Sequence, residues 1–360
     1  MPTAVVVTPV HTAIVVSWSA PVPNGGPAIT DYVAKVGAVS CTTTGSTCLL
    51  TGVKNYHRYT VSVTAYSPAG HSKVVRVPNV IPLPAQNCAY VGPYANLQGC
   101  NLSFANLGVD LTQADLAGAT LYAATLAGAN LTGADLTGAD AHYANFHGTD
   151  LQGAHLSGAN LSFISSGAVT GTPAALPTGW AVGDGYLMGP GVNLSFTDLS
   201  GLVFPTVDLS GASLYASNLT GATLSAATNF TGTNVQYAKF TGTDLQGVNL
   251  STNDFTGITS GGVTGTPAAL PTGWAVGDGY LMGPGVNLSF TDLSGLVFPT
   301  VDLSGASLYA SNLTGADLTA VTNFTGTNVQ YITWSNTTCP DTSNSDTNGS
   351  NPASCVGYGI

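Results

Sequence analysis

The sequence predicts an all-β protein in which a β-sandwich precedes a long solenoid. Three observations predict it: Leu or Phe recurs every five residues after residue 95, residues 3–77 contain short alternating strands, and one 54-residue segment occurs twice. On an α-helix, side chains five residues apart point about 140° away from each other, and on a flat strand they point to opposite faces. A chain that turns a corner every five residues instead directs all these side chains to one axis, as in a solenoid.

The N-terminal stretch alternates apolar and polar residues in short runs. In AIVVSW, the side chains of Ile14, Val16 and Trp18 share one face, and ITDYVAKV and YTVSVTAY alternate in the same way. With VSWSAP, NGGPAITDY, LTGVKNYHRYTVSVTAY and SPAGHS, this stretch resembles a fibronectin type III domain. The resemblance implies a β-sandwich over residues 1–81, with Tyr59 as the tyrosine-corner residue and Val53 in place of the usual Leu. The chain lacks RGD, and PNVIPLP (78–84) is expected to be a stiff linker.

The five-residue units continue with few breaks, as in ANLTG ADLTG ADAHY ANFHG TDLQG AHLSG. They resemble the pentapeptide-repeat family, whose consensus is A(D/N)LXX, over most of residues 95–163, 192–257 and 286–335. The resemblance implies a right-handed quadrilateral β-helix with four pentads per coil. The central Leu or Phe and the small residue two positions before it would point inward.

This register can be tested because residues 20 apart should stack. Leu111, Leu131 and Leu151 form one such column, and Leu116, Leu136 and Leu156 form another. The spacing breaks twice. The four-residue step from Leu107 to Leu111 predicts a tight corner, and the six-residue step from Leu224 to Phe230 predicts a bulge.

The duplicated segment occupies residues 169–222 and 263–316, residue for residue. Within it, WAVGDGYLM predicts a small hairpin that projects from the solenoid wall or lies along it. We therefore expect three solenoid segments, at 82–167, 168–260 and 261–335, the last two with a hairpin insert. Residues 336–360 are expected to cover the last coil as a disulfide-closed tail.

The six cysteines fall in three close pairs, although fifteen connectivities are possible. We expect the local set, Cys41–Cys48, Cys88–Cys100 and Cys339–Cys355, with free buried thiols as the alternative. The Cys41–Cys48 pair is expected to sit on a hairpin. Disulfides imply an oxidising, extracellular setting. Because Met1-Pro2-Thr3 leads directly into a predicted strand, we also expect a processed or shortened chain.

Charge is sparse and uneven. Only 6% of residues are charged and Glu is absent; residues 1–83 carry about +4 and the rest about −15, with Lys239 as the one base there. This distribution offers no basic surface of the kind that binds nucleic acid. No segment is long and apolar enough to span a membrane.

No nucleotide-binding or catalytic motif is present, and the candidate groups for chemistry follow from the repeat itself. Asp115 and Asp135 should stack about 4.8 Å apart, but on a convex wall, where Asp is expected to bond local backbone. His142, His147 and His155 fall on different sides or coils, which disfavours a shared metal. The tail resembles a calcium repeat in CPDTSNSDTNG, although it offers only Asp341 and Asp346, and a plain disulfide loop is favoured.

One group of aromatic residues is predicted to share a face: Tyr122, His142, Tyr143 and Phe163. Such a patch can bind sugar or protein, or can pack against the tail. We therefore expect a non-enzymatic, secreted or cell-surface structural or adhesion protein without a cofactor, with an unknown protein or glycan partner and no nucleic acid.

Two other functions remain open at this point. Some pentapeptide-repeat proteins occupy the DNA site of gyrase, so the acidic segment could be a DNA mimic. Outward Thr and Asn ladders could form an ice- or glycan-binding face, although Asp110 and Asp150 interrupt one of them.

Overall fold

The computed structural model describes residues 1–10, 13–22, 25–54, 57–82, 86–224, 229–347 and 354–357. Within these ranges the regular secondary structure is entirely β. The strands of the N-terminal part are β1 Thr3–Val10, β2 Ala13–Ser19, β3 Asp31–Val36, β4 Val39–Thr43, β5 Thr47–Thr51, β6 Tyr59–Ser67, β7 Gly70–His71 and β8 Val75–Val80. Those of the later part are β9 Ala181–Gly183, β10 Tyr186–Met188, β11 Ala275–Gly277, β12 Tyr280–Met282, β13 Val301–Asp302 and β14 Val321–Asn323.

Strands β1–β8 form two antiparallel sheets around one core. One sheet has the order β1-β2-β5, and the other has the order β4-β3-β6-β7 with β8 paired to β6. The predicted inward face of β2 is confirmed, because Ile14, Val16 and Trp18 are buried. They pack with Tyr32 and Val63 of the other sheet.

The Cys41–Cys48 disulfide joins the two sheets rather than the strands of a hairpin. Cys41 lies on β4, which pairs with β3, and Cys48 lies on β5, which pairs with β2. The hairpin expectation was wrong because the short chain between the two cysteines crosses from one sheet to the other.

The linker also begins later than the sequence suggests. Residues 78–80 belong to β8, whose pairing with β6 shifts register between Tyr59 and Val61. Such an irregularity on a peripheral strand lets Pro78 enter the sheet without a missing ladder bond. Residues 83–85, the end of the predicted linker, lie outside the described residues.

The later part is a stack of coils held by parallel bridges. Asp110, Asn130, Asp150 and Thr170 are bridged in succession, and so are Asp115, Asp135, His155 and Ala175. The two predicted leucine columns are confirmed: the central residues of these pentads, including Leu131 and Leu136, are fully buried. Ala141, which lies between Leu121 and Leu161 in a third column of this spacing, is buried as well.

Most pentads end at a corner with a left-handed residue. Gly118, Gly138 and Gly158, for example, have φ of 62°, 65° and 67° at the fifth position. Glycine is favoured there because it lacks the Cβ that makes positive φ costly. The four-residue step after Leu107 shortens one coil, since Asn101 bridges Thr120 at a distance of 19 residues. The six-residue step falls on residues 225–228, which lie outside the described residues.

Each duplicated segment adds a hairpin to one coil. β9 pairs with β10, and β11 pairs with β12. Ser165 bridges Asn193, so this coil is 28 residues long instead of about 20. Leu187 and Met188 of β10 are fully buried in the solenoid core, so the hairpin lies in the wall and does not project.

Two further disulfides lie at the ends of the solenoid. Cys88–Cys100 is next to the first coils, and Cys339–Cys355 joins the tail to the last ones. Cys339 and Cys355 are fully buried in the solenoid core cluster. The tail therefore closes over apolar residues that the last coil would otherwise expose.

Candidate functional site

The four aromatic residues singled out from the sequence lie together on one corner of the solenoid. The ring centroids of Tyr122 and His142 are 5.4 Å apart, and those of His142 and Tyr143 are 4.3 Å apart in a stacked arrangement. The Tyr143 and Phe163 rings stack at 5.1 Å. Tyr143 and Phe163 are exposed, so the cluster faces solvent.

Phe104 extends this cluster by one coil. Its ring meets Tyr122 edge to face at 5.3 Å, and its side chain is 74% exposed. A strict 20-residue register places Phe104 one position away from this column. The 19-residue coil brings it into line, so the four-residue step already visible in the sequence was the signal that could have identified it.

Two more sets of rings repeat the arrangement. Phe196, Tyr215 and Tyr237 lie on successive coils with centroid distances of 5.4 and 5.4 Å. Phe290, Tyr309 and Tyr331 do the same at 5.5 and 5.2 Å. We call these sets row 2 and row 3, and Phe104, Tyr122 and Tyr143, continued by Phe163, row 1. Sequence reasoning missed rows 2 and 3, although the duplicated NLSF and LYA pentads carry most of their rings.

Most of the rings occupy the left-handed corner position that glycine fills elsewhere. Phe104, Tyr143, Phe196 and Tyr237 have φ of 60°, 60°, 59° and 59°. Phe163, Phe290 and Tyr331 have φ of 58°, 59° and 60°. A side chain in this conformation costs roughly 1–2 kcal/mol. The rows thus place bulky, exposed groups where the fold itself favours none.

The acidic residues that precede the central Leu form hydrogen bonds with the backbone of the corners. Their Oδ1 atoms accept a hydrogen bond from the backbone N–H two residues on, at 3.1 Å for Asp115 and 2.9 Å for Asp135. Hydrogen bonds from the Thr112 hydroxyl and N–H lower the pKa of Asp110 below its ordinary value, and Ser200 does the same for Asp198. The expected local role of Asp115 and Asp135 is confirmed, because the corner needs an acceptor at this position.

No cluster of three His, Cys or acidic residues within the described ranges is placed to hold a metal ion. In the tail, the Asp341 carboxylate accepts hydrogen bonds from the Ser343 N–H and hydroxyl. In the same described part of the chain, no helix is long and apolar enough to cross a membrane.

The pentapeptide-repeat model matches eight copies, over residues 94–138, 142–163, 191–225, 227–258 and 285–319. These segments total 169 of the 360 residues, and over them the chain consists of pentapeptide repeats. The gaps between them correspond mainly to the hairpin inserts, where the pentad pattern gives way to the β9–β10 and β11–β12 hairpins.

Solved pentapeptide-repeat proteins are among the similar structures. One is HetL from the cyanobacterium Nostoc, which is involved in heterocyst differentiation regulation: identity is 24%, coverage is 69% of this chain and 93% of HetL, and the TM-score is 0.22. Another, from the Arabidopsis thaliana thylakoid lumen, is 25% identical over 37% of this chain and 66% of its own, with a TM-score of 0.14. The plasmid-mediated fluoroquinolone resistance protein QnrB1 is 19% identical over 48% and 80%, with a TM-score of 0.19. No curated protein matches the chain.

Proposed function

We propose that this chain is a non-enzymatic, extracellular or cell-surface structural protein whose solenoid is a rigid, acidic spacer that carries a binding surface. The observation that supports it best is the unbroken column of bridged residues from Asn106 to Asp254, which spans eight coils, or about 34 Å. Fully buried Leu and Phe side chains fill the coils along this length. Such a stack resists bending because each coil is bonded to the next over all its sides.

The N-terminal sandwich fits a fibronectin type III module in this proposal. The Tyr59 hydroxyl accepts a hydrogen bond from the Lys54 N–H at 2.9 Å, which is the contact of a tyrosine corner. Trp18 and Tyr32 pack together in the core at 5.3 Å. Three disulfides support an oxidising compartment, because such bonds do not persist in a reducing cytosol.

Localisation in the source cell tests this proposal. Antibody against the purified protein should label intact cells or the culture medium, and protease added to intact cells should remove the surface signal. A cytosolic protein, visible only after lysis with its cysteines in the thiol state, would contradict it. Small-angle scattering of the purified chain should give an elongated particle, and a compact sphere would contradict the spacer.

DNA mimicry is the second candidate, favoured by the excess of Asp after residue 83. A mimic of duplex phosphate needs a continuous acidic stripe. The bridged columns are instead interrupted, as in Asp110–Asn130–Asp150–Thr170, or contain the single base, as in Asp198–Asn218–Lys239. The charge is therefore diluted around the solenoid, which favours the spacer.

A further inference from the structure

The three aromatic rows lie on three successive corners of the solenoid. Row 1 begins three residues after Asn101 and row 2 three residues after Asn193. Asn101 bridges Thr120, whereas Asn193 belongs to the column of Thr125, which is the next side of the coil. Row 2 is therefore a quarter turn from row 1.

Row 3 is displaced by a further quarter turn in the same sense. It begins after Asn287, whose N–H donates to the Ile258 carbonyl at 2.9 Å, as the Asn193 N–H donates to Ile164. Asn287 thus continues the column of Asp198, Asn218, Lys239 and Thr259, one side beyond that of Asn193. Successive rows wind around the solenoid axis, and equivalent rings in rows 2 and 3 are about 20 Å apart along it.

The residues that precede the rings of rows 2 and 3 are neutral and polar, whereas Asp140 and His142 precede Tyr143 in row 1. In row 2 these preceding residues are Asn193, Ser195, Ser213, Asn234 and Gln236, and row 3 repeats these types. Asp198 and Lys239 follow the rings of row 2 on the next side of the solenoid. The Ser195 and Ser213 hydroxyls hydrogen-bond each other at 2.7 Å, and so do Ser289 and Ser307. Rings bordered by hydroxyl and amide groups suit a ligand with apolar CH faces and many hydroxyls, which describes a pyranose sugar.

Other partner classes fit less well. Platforms that stack nucleic-acid bases lie in positively charged grooves, whereas this part of the chain has one Lys against sixteen Asp. A stable protein interface buries about 800 Å² per partner, and a row is one ring wide and about 10 Å long in rows 2 and 3. Of the partner classes considered, a narrow and uncharged polymer chain therefore fits the rows best.

We propose that the three rows are equivalent binding sites for a single neutral polysaccharide chain that winds around the solenoid. This rests on the proposed function and gives its binding surface a ligand class. A flat crystalline surface laid against one wall reaches at most the two rows that border that wall. A flexible chain reaches all three, and its affinity rises through the linked contacts.

The test replaces the first Phe of each row by glycine, which is the residue found at most corners. Phe104→Gly, Phe196→Gly and Phe290→Gly remove an exposed ring and relieve the left-handed backbone, so the fold should be retained. Gln113→Gly is the matched control, because Gln113 is exposed, has φ of 57° and lies outside the rows. Affinity electrophoresis of the full chain in gels containing hydroxyethylcellulose, glucomannan or xyloglucan measures binding.

We expect at least one of these polysaccharides to retard the wild type and the Gln113→Gly variant equally. Each single Phe→Gly variant should bind about tenfold more weakly, and the triple variant should migrate as in a gel without polysaccharide. Calorimetry should show fewer sugar units covered per protein as rows are removed, and thermal melting should show that all variants remain folded.

Three results would overturn the proposal. They are a wild type retarded by none of the three polysaccharides, a triple variant retarded like the wild type, and binding confined to microcrystalline cellulose or to immobilised casein. The last would assign the rows to a flat lattice or to a peptide. Because these assays use purified protein, polysaccharide binding by a chain found in the cytosol would contradict the proposed function alone.

Discussion

At the residue scale, one position per pentad decides whether a coil closes. The central residue is surrounded by the coils above and below, and Leu131 has no exposed surface between Leu111 and Leu151. The residue just before it, Asn130, points outward, and its Oδ1 accepts a hydrogen bond from the Thr132 N–H at the corner. Neighbouring positions in one pentad therefore tolerate opposite chemistries.

Leu131→Asp should open the coil that contains it. A carboxylate among buried leucines loses hydration that nothing replaces, at a cost of several kcal/mol. Thermal melting should show a strongly lowered solenoid transition, while the N-terminal sandwich keeps its own. Thr125→Asp is the control, because Thr125 is exposed at the position where the repeat itself uses Asp. Equal melting of both variants would show that Leu131 is not inside.

The corner aspartates predict an acid-labile solenoid. Hydrogen bonds from the Thr256 hydroxyl and N–H and from Gln236 lower the pKa of Asp254 below its ordinary value of 3.8. A lowered folded-state pKa contributes stability that is present above the unfolded value and is lost as pH falls through the folded one. Urea unfolding at about pH 7 and about pH 2 should show this loss.

Asp254→Asn keeps the Oδ1 acceptor for the corner and removes the titration. Its free energy of unfolding should fall less between the two pH values than that of the wild type. An identical fall in both proteins would mean that Asp254 contributes nothing to the pH dependence.

At the element scale, the hairpin inserts are held by a close contact between a ring and a backbone. The Trp180 ring lies against Gly189, in the space that a Cβ would occupy, and Trp274 lies in the same way against Gly283. Met188, next to this glycine, is fully buried. The insert is therefore locked into the wall by packing.

Gly189→Ala should destabilise the solenoid, because the added methyl group forces the indole ring out of its site, at a cost of about 1–3 kcal/mol. The Trp180→Ala background supplies the control. There the ring is gone, and the added methyl should cost far less. Chemical denaturation of the four proteins measures the coupling, and a coupling of zero would show that the ring does not pack on Gly189.

The sequence was sufficient for some elements and not for others. The register of Leu111, Leu131 and Leu151 could be predicted because each pentad repeats the same local geometry. The burial of β10 could not, because WAVGDGYLM has no period that tells a projecting hairpin from one in the wall. The inter-sheet position of Cys41–Cys48 depends on which strands pair, and that information is not local. The Tyr122 cluster followed from the register, but Phe104 required the shortened coil.

At the whole-molecule scale, the distribution of charge separates the two leading functions. Purified protein should leave gyrase supercoiling unchanged at low salt, because the carboxylates form no continuous stripe. A supercoiling assay with salt titration measures this. Micromolar inhibition that weakens steeply with added salt would favour the DNA mimic instead.

The duplicated segment also fixes a relation between length and orientation. The copies at 169–222 and 263–316 are offset by 94 residues, and this offset advances the chain by four and a quarter coils. Every 94-residue unit gained or lost in evolution therefore lengthens or shortens the solenoid. It also rotates the part of the chain that follows by a right angle about the solenoid axis. Four such units together add a full rotation, so the part that follows returns to its original orientation. Variants with different copy numbers would display their C-terminal ends in different directions, so copy number would set direction together with reach.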